Sequence, residues 1–583
     1  MHSCYIDGPA GKLFVSIYSP SSVTSASWVL LCPPFAEEMN KSRPMISLQA
    51  RALADAGHNV VVVDLFATGD SQGEFAQARW DIWVDDLLFM LDWIVEHKPE
   101  SISLWALRSG CLLALEVLQR LSSSVNPFVR HLLLWQPVLD GQQFIKQFLR
   151  LKVAAAMMEG QKLTVAELMQ QSAAGEMLEV AGYSLSPELI EPVSRIKLKE
   201  SRLPSALSVS WFEIASNAEK PLTPVAKTAV ATLQEQGIKV DIATVAGESF
   251  WTTQEIAMAP NLIDATRGSL AGLVSQPGGE TAQMIMVDAL AQKSVDAPIE
   301  TFSEQPVSFS CRGEQLAGVL HSVPEPAAEG VLLIVGGPQY RVGSHRQFVL
   351  LARHLAEAGI PVLRFDYRGM GDSSGELLGF EHISEDIAAA VDCFQSRVSD
   401  LQRVALWGLC DAASAAAFYA PTDSRISRLI LLNPWAYSEQ GEAKAFLKYY
   451  YLQRLFSRSF WKKVLSGKFN PGKSLGELSE NVSKARSEDV PVDTEAKADS
   501  GPLGSRIYNG LSRFKGQVLL ILSGRDLTAS QFKDVVSGSA KLKKLLKQKR
   551  FTVCPMDEAD HTFSSREFRD EVARKTLGWL QNK

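Results

Sequence analysis

In the stretch Val404-Ala405-Leu406-Trp407-Gly408-Leu409-Cys410-Asp411-Ala412-Ala413 a short apolar run enters Gly-Leu-Cys-Asp-Ala and passes straight into the helix-prone Ala412-Ala413-Ser414-Ala415-Ala416-Ala417. The pattern predicts a strand, a sharp turn and a helix, with Cys410 at the apex of the turn. A nucleophile is presented on such a strained elbow, and small residues are needed two places to either side so that the two backbones can pass. Gly408 and Ala412 meet that need. The stretch departs from G-x-S-x-G twice, with Cys for Ser and Ala for the last Gly. A small buried cysteine at the start of an Ala-rich helix is the competing reading.

Outward from this stretch, the chain repeats itself. Gly69-Asp70-Ser71-Gln72-Gly73-Glu74 and Gly371-Asp372-Ser373-Ser374-Gly375-Glu376 begin at residues 69 and 371, 302 positions apart. The same offset relates Arg51-Ala52-Leu53-Ala54-Asp55-Ala56-Gly57 to Arg353-His354-Leu355-Ala356-Glu357-Ala358-Gly359, and Trp105 to Trp407. Two copies of one fold are therefore expected. In the second, apolar runs of strand length at 331–335, 362–365, 404–406, 429–432, 518–522 and 551–554 alternate with helical patterns, among them an amphipathic stretch from Gln347 to Ala358 with Gly359 as its C-cap. The first copy has matching runs at 29–31, 60–63, 102–105, 132–134, 207–212 and 240–245, and a last helix around 261–270. Strands alternating with helices imply a mostly parallel sheet with both faces covered. With the elbow in this position the expected class is α/β, as two tandem α/β-hydrolase domains, each with a helical cap insertion. The boundaries read as 1–272 for the first domain, 273–300 for a linker around Pro277-Gly278-Gly279, and 301–583 for the second. The caps fall at about 141–203 and 436–514. Within the second, 470–505 is polar and expected to be poorly ordered.

Composition limits the function classes. The 583 residues are 46% hydrophobic and 21% charged, as in a globular protein of more than one domain. A net charge of −6 and a pI near 6.0 offer no electrostatic footprint for nucleic acid. The first residues lack a basic and then apolar leader, and no run of about 18 apolar residues occurs, so a cytoplasmic protein is expected. Seven cysteines without C-x-x-C spacing argue against a disulfide framework and a zinc site.

A thiol at Cys410 needs a base, and in this fold the histidine follows the last strand and the acid an earlier one. Asp560-His561-Thr562-Phe563 follows the run at 551–554, and Ser523-Gly524-Arg525-Asp526 follows that at 518–522. His561 is thus the expected base and Asp526 the expected acid. The bland alternatives are a surface His561 and an Asp526 that caps a helix beginning near Ala529. Asp411 suits the helix dipole but would oppose a thiolate. Asp560 adjoins His561 and is poorly placed to bond its ring. The loop Asn433-Pro434-Trp435 holds no carboxylate. The oxyanion hole should combine the backbone N–H of Asp411 with one from the loop Gly336-Gly337-Pro338-Gln339-Tyr340-Arg341. Pro338 has no N–H, which leaves Gly337, Gln339 or Tyr340. Arg341 and His345 are candidates for binding an anionic part of a substrate, with solvated loop charges as the alternative.

These residues carry a resemblance. Gly-Gly-Pro-Gln-Tyr-Arg-Val-Gly-Ser-His-Arg at 336–346, Arg368-Gly369-Met370-Gly371-Asp372-Ser373, the elbow itself and Ala559-Asp560-His561-Thr562-Phe563 resemble the type 1 exosortase A system-associated hydrolases. Pro33-Pro34-Phe35-Ala36-Glu37-Glu38-Met39-Asn40-Lys41 and Leu104-Trp105-Ala106-Leu107-Arg108 resemble the type 2 hydrolases of the same systems. The two likenesses cover nearly the whole chain except the linker. They imply a bacterial protein encoded with exopolysaccharide synthesis and protein-sorting machinery, and they supply no substrate.

The first copy reads as degenerate. The offset places Arg108 where the second copy has Cys410, and no histidine occurs between His131 and His321. Arg108 at a vestigial elbow needs a carboxylate, since an unpaired guanidinium in a closed pocket is costly, and Glu37 or Glu38 is the expected partner. The expected activity is hydrolysis of an ester or thioester bond in the C-terminal copy, with Cys410 as nucleophile and no metal or organic cofactor. Acyl transfer is the nearer alternative, and a non-catalytic assembly or binding factor the one from another class. The expected partner is a small-molecule or lipid-linked acyl substrate. The oligomeric state is left open. Residues 444–468 interleave seven Lys and Arg with aromatic and aliphatic side chains and hold no acid, a pattern that suits either peripheral contact with an anionic membrane or a cap helix over a pocket.

Overall fold

Runs such as Val60-Val61-Val62-Val63 lack polar alternation because both faces of their strand are covered: all four side chains are fully buried. The computed structural model describes residues 1–20, 26–158, 160–253, 255–273, 302–436 and 502–582. The linker expected after residue 273, most of the second cap, the basic stretch 444–468 and nearly all of 470–505 lie outside the described residues.

Two sheets are built from successive strands. The first contains β1 (His2–Asp7), β2 (Lys12–Tyr18), β3 (Ser27–Cys32), β4 (Asn59–Asp64), β5 (Ser101–Leu107) and β6 (Val129–Trp135). A separate hairpin of β7 (Leu178–Val180) and β8 (Tyr183–Leu185) precedes its last strands, β9 (Ser208–Ala215) and β10 (Lys239–Ala246). The second contains β11 (Ser303–Cys311), β12 (Glu314–Ser322), β13 (Glu329–Ile334), β14 (Val362–Phe365), β15 (Arg403–Leu409), β16 (Ile426–Leu432), β17 (Gln517–Ser523) and β18 (Phe551–Met556). Their spatial orders, β1-β2-β4-β3-β5-β6-β9-β10 and β11-β12-β14-β13-β15-β16-β17-β18, are the same order twice. The second strand of each sheet runs antiparallel to both its neighbours, and all the other pairings are parallel. Parallel neighbours require crossovers, and helices such as Glu37–Asp55 and Trp80–Glu96 supply them. Alternate residues of one strand feed opposite cores: Leu30, Val61 and Leu104 pack on one face of the first sheet, and Val29, Val60 and Trp105 on the other. This is the α/β-hydrolase architecture in both halves. Between β6 and β9 the helices Gly141–Met158, Val165–Ala173 and Pro187–Arg195 form an insertion with the β7–β8 hairpin.

The repeated Gly-Asp-Ser turns meet at the junction of the halves. Asp64 accepts the backbone N–H of Asp70 at 2.9 Å, and Asp366 that of Asp372 at 3.0 Å. A Cβ on Gly69 or Gly371, both at positive φ, would lie 2.1 or 2.2 Å from those carboxylates, which explains the glycine in each copy. Across the junction Arg43 donates to both oxygens of Asp372 at 2.7 Å and to Asp64 at 2.6 Å. Arg341 contacts Asp70, Asp366 and Asp372 at 2.8, 2.6 and 2.8 Å. Arg364 pairs with Asp70 at 2.8 Å, and Arg346 donates to the carbonyls of Ala67, Gly69, Ser71 and Gly73. All of these side chains are buried.

Candidate active site

Strand β15 ends at Leu409 and the helix Asp411–Tyr419 begins one residue later, so Cys410 alone makes the turn. Its φ of 62° and ψ of −123° lie where a side chain is strained. The neighbours hold it there: Cys410 N donates to Leu432 O at 2.9 Å, and Trp435 N to Cys410 O at 3.1 Å. A Cβ on Gly408 would lie 2.7 Å from the Ala412 carbonyl, the close passage that demands a small residue. Burial pushes the Cys410 thiol well above its ordinary range, and the charges of Asp411 and Asp526 add to that against a smaller opposing pull from the Asp411 backbone N–H. The thiol is the form at rest.

His561, on the loop after β18, places Nδ1 3.0 Å from Asp526 Oδ1. Asp526 also accepts from Thr528 N at 3.1 Å and Ala529 N at 2.9 Å, so one carboxylate both caps the helix Leu527–Gly538 and faces the ring. Burial draws the His561 pKa down, but the hydrogen bond and charge of Asp526, with Asp411 and Asp560 behind it, outweigh this and leave it raised. Asp560 turns instead to Ser564, whose N–H and hydroxyl it accepts. Among the described residues no hydrogen bond joins the Cys410 sulfur to the ring. A neutral thiol is a weak donor, and contacts of this kind commonly tighten only with substrate in place.

One residue was missed in the sequence. Asn433, at φ 44° just past β16, donates to Ser523 Oγ at 2.9 Å and His561 O at 3.1 Å, and accepts from Ser523 N at 2.9 Å. It ties the loop carrying the acid to the loop carrying the histidine. The only sequence signal was a polar residue before proline at a strand end.

The loop after β13 departs from expectation. Gly337 N donates at 3.0 Å to each oxygen of the Asp411 carboxylate, which also accepts from Ala412 N at 2.9 Å. Gln339 Nε2 points to Glu37 Oε2 at 3.4 Å, and the Tyr340 ring is buried under the guanidinium groups of Arg43 and Arg341, 5.2 and 5.4 Å from its centroid. The anion-binding role expected of Arg341 and His345 is corrected. Arg341 is 1% exposed and held by three carboxylates, because its loop packs into the junction rather than into the cleft. His345 is buried as well, with Nε2 3.1 Å from Thr562 O and its backbone N–H on Glu37 at 2.8 Å.

In the N-terminal half Arg108 occupies the corresponding elbow at φ 53°. Its Nε and Nη2 both donate to Glu38 Oε1 at 3.2 Å, Nη1 reaches Gln136 O at 3.3 Å, and the guanidinium lies 5.3 Å from the Trp251 ring centroid. Burial raises the Glu38 pKa against the opposing pull of Arg108. Glu37, the other expected partner, is taken by Tyr183 Oη at 2.8 Å, by the His345 N–H and by Gln339, since it faces the C-terminal half. Ser109, the next residue, lines a pocket of about 40 Å³ with Phe35, Trp83 and Tyr183.

Residues 330–516 match the family model of the alpha/beta hydrolase fold. No curated protein matches the chain. Solved structures similar to it include an esterase from Pyrococcus furiosus (16% identity, 48% of this chain and 91% of that one, TM-score 0.34). Others are a putative alpha/beta hydrolase from Agrobacterium tumefaciens (17%, 47% and 94%, 0.31) and the alpha/beta hydrolase GrgF from Penicillium sp. sh18 (16%, 48% and 98%, 0.33).

Proposed function

We propose that the chain hydrolyses ester or thioester bonds, with Cys410 in the C-terminal half as nucleophile. The observation that carries this reading is the strained Cys410 at the end of β15, together with a His561–Asp526 pair 3.0 Å apart on the loops after β18 and β17. His561 Nε2 takes the thiol proton as sulfur attacks the acyl carbon, and returns it to the departing alcohol or thiol. Water then gives its proton to His561 and releases the acid, or another acceptor takes the acyl group. Asp526 fixes the ring and stabilises the imidazolium, in keeping with the raised His561 pKa. The first half has Arg108 at its elbow and acts in binding or support. The likeness to exosortase A system-associated hydrolases favours a role beside exopolysaccharide synthesis and leaves the acyl group and its carrier to be found by the substrate series. A second reading, a non-catalytic binding factor, is favoured by the Asp411 carboxylate lying on Gly337 N–H.

Hydrolysis of p-nitrophenyl esters and acyl thioesters from acetyl to palmitoyl separates the two. Cys410→Ala is expected to lose about 10³-fold or more of the wild-type rate. An undiminished rate in that variant, or no wild-type hydrolysis across the series, rejects the hydrolase.

A further inference from the structure

An elbow of this kind supplies an acyl oxygen with two donors, the N–H of the residue after the nucleophile and an N–H from the loop after β13. Here those groups are Asp411 N and Gly337 N, and Gly337 N already faces a carboxylate of the chain. Gly337 N stands 3.0 Å from Oδ1 and 3.0 Å from Oδ2 of Asp411, inside the range at which such donors hold an oxyanion. Ala412 N adds a bond at 2.9 Å. The loop is shaped to the group: a Cβ on Gly336 would lie 2.0 Å from Asp411 Oδ1. Among the described residues no Lys or Arg pairs with Asp411. The titratable groups around it are Cys410, His561 and Tyr367. Burial raises the pKa of this carboxyl against the opposing pull of the backbone N–H groups and of His561.

We infer that Asp411 is a specificity-determining gate: its carboxylate fills the oxyanion hole, and an acyl oxygen enters only when that carboxylate leaves. The inference rests on Cys410 being the nucleophile. It makes the carboxylate an internal competitor of every substrate, so that the chain selects acyl groups whose other contacts displace it.

An aldehyde tests the gate without turnover. Cys410 adds to butyraldehyde by forming a C–S bond; the carbonyl π pair moves to oxygen, and the thiol proton passes through His561 to that oxygen, which lies in the hole. Affinity is read as protection of Cys410 from iodoacetamide, with peptide mapping and Cys410→Ala as blank. Asp411→Ala is expected to bind the aldehyde about tenfold tighter or better than wild type. Asp411→Asn, nearly isosteric, removes the charge but keeps an oxygen for Gly337 N–H, and should gain less. Equal or weaker binding by Asp411→Ala overturns the gate, as does no protection in any variant. So does an Asn variant equal to the Ala variant, because charge beside the thiol would then suffice. Tighter aldehyde binding by Asp411→Ala with no ester or thioester hydrolysis in any form would reject the hydrolase and leave the gate standing.

Discussion

Asn433 joins three strand ends with one side chain, and its removal separates positioning from packing. Asn433→Ala leaves Ser523 N–H and the His561 carbonyl without their partner, which should cost about 1–3 kcal/mol of stability. Because His561 is located through that bond, on the proposed reading kcat for ester hydrolysis should fall roughly ten- to a hundredfold with KM little changed, since displacement of a catalytic group by about 1 Å costs that much. An unchanged kcat in a folded variant would reject the positioning role. At this scale the sequence was legible where a residue's own type and position carry the chemistry. Cys410, Asp526 and His561 stand on strand ends in the required order. It was illegible where an orientation depends on a distant partner. Asp411 reads as a helix-start acid facing along its helix, yet its carboxylate turns back to Gly337, 74 positions away.

One exchange in the loop beside the two copies of a helix has a measurable consequence. Asp386 on the helix Ser384–Arg397 accepts from Arg368 N at 2.9 Å and from its guanidinium at 2.8–3.1 Å. In the first copy Phe66 stands in place of Arg368, and among the described residues Asp86 keeps only the Phe66 N–H, at 2.7 Å. Burial, with Asp85 adding to it against that hydrogen bond, raises Asp86 to about 7. Between pH ~4 and 7 the folded chain therefore retains a proton that the unfolded chain releases. Stability falls as pH rises through that window and levels off above it. Asp86→Asn should remove this slope, so that urea unfolding at pH 8 finds the variant more stable relative to wild type than at pH 4, by a difference on the order of 3 kcal/mol. Parallel pH profiles for the two proteins would show Asp86 to be paired or hydrated after all. The parallel strands and their helices were readable from apolar runs and capping residues. The antiparallel pairs β1–β2 and β11–β12 were not, because β1 and β11 are edge strands of irregular burial and their order depends on the sheet they join.

The whole molecule is held by charges that its repeat conceals. Arg341 sits among Asp70, Asp366 and Asp372, and removing one partner of such a cluster leaves buried charge uncompensated. Arg341→Ala should destabilise the chain by about 3–5 kcal/mol, with little relief or penalty from added salt because the site is dry. A loss below about 1 kcal/mol in denaturant unfolding would show the cluster to be hydrated. Burial would raise the Asp70 carboxyl, but Arg341 and Arg364 override it and hold it down to about 2. Its contribution is thus present above pH ~4 and is lost as pH falls from there towards 2. What the sequence by itself determined is the pair of α/β sheets, the elbow and the order of Cys410, Asp526 and His561. Strand-length apolar runs, turn glycines and a repeat are local or translational signals. Only the tertiary structure decided that Arg341 and His345 face the junction, that Arg108 takes Glu38 and not Glu37, and that the Asp411 carboxylate lies on the Gly337 N–H. Each of those choices is set by burial and by the nearest countercharge or backbone dipole, and these belong to segments far apart in the chain.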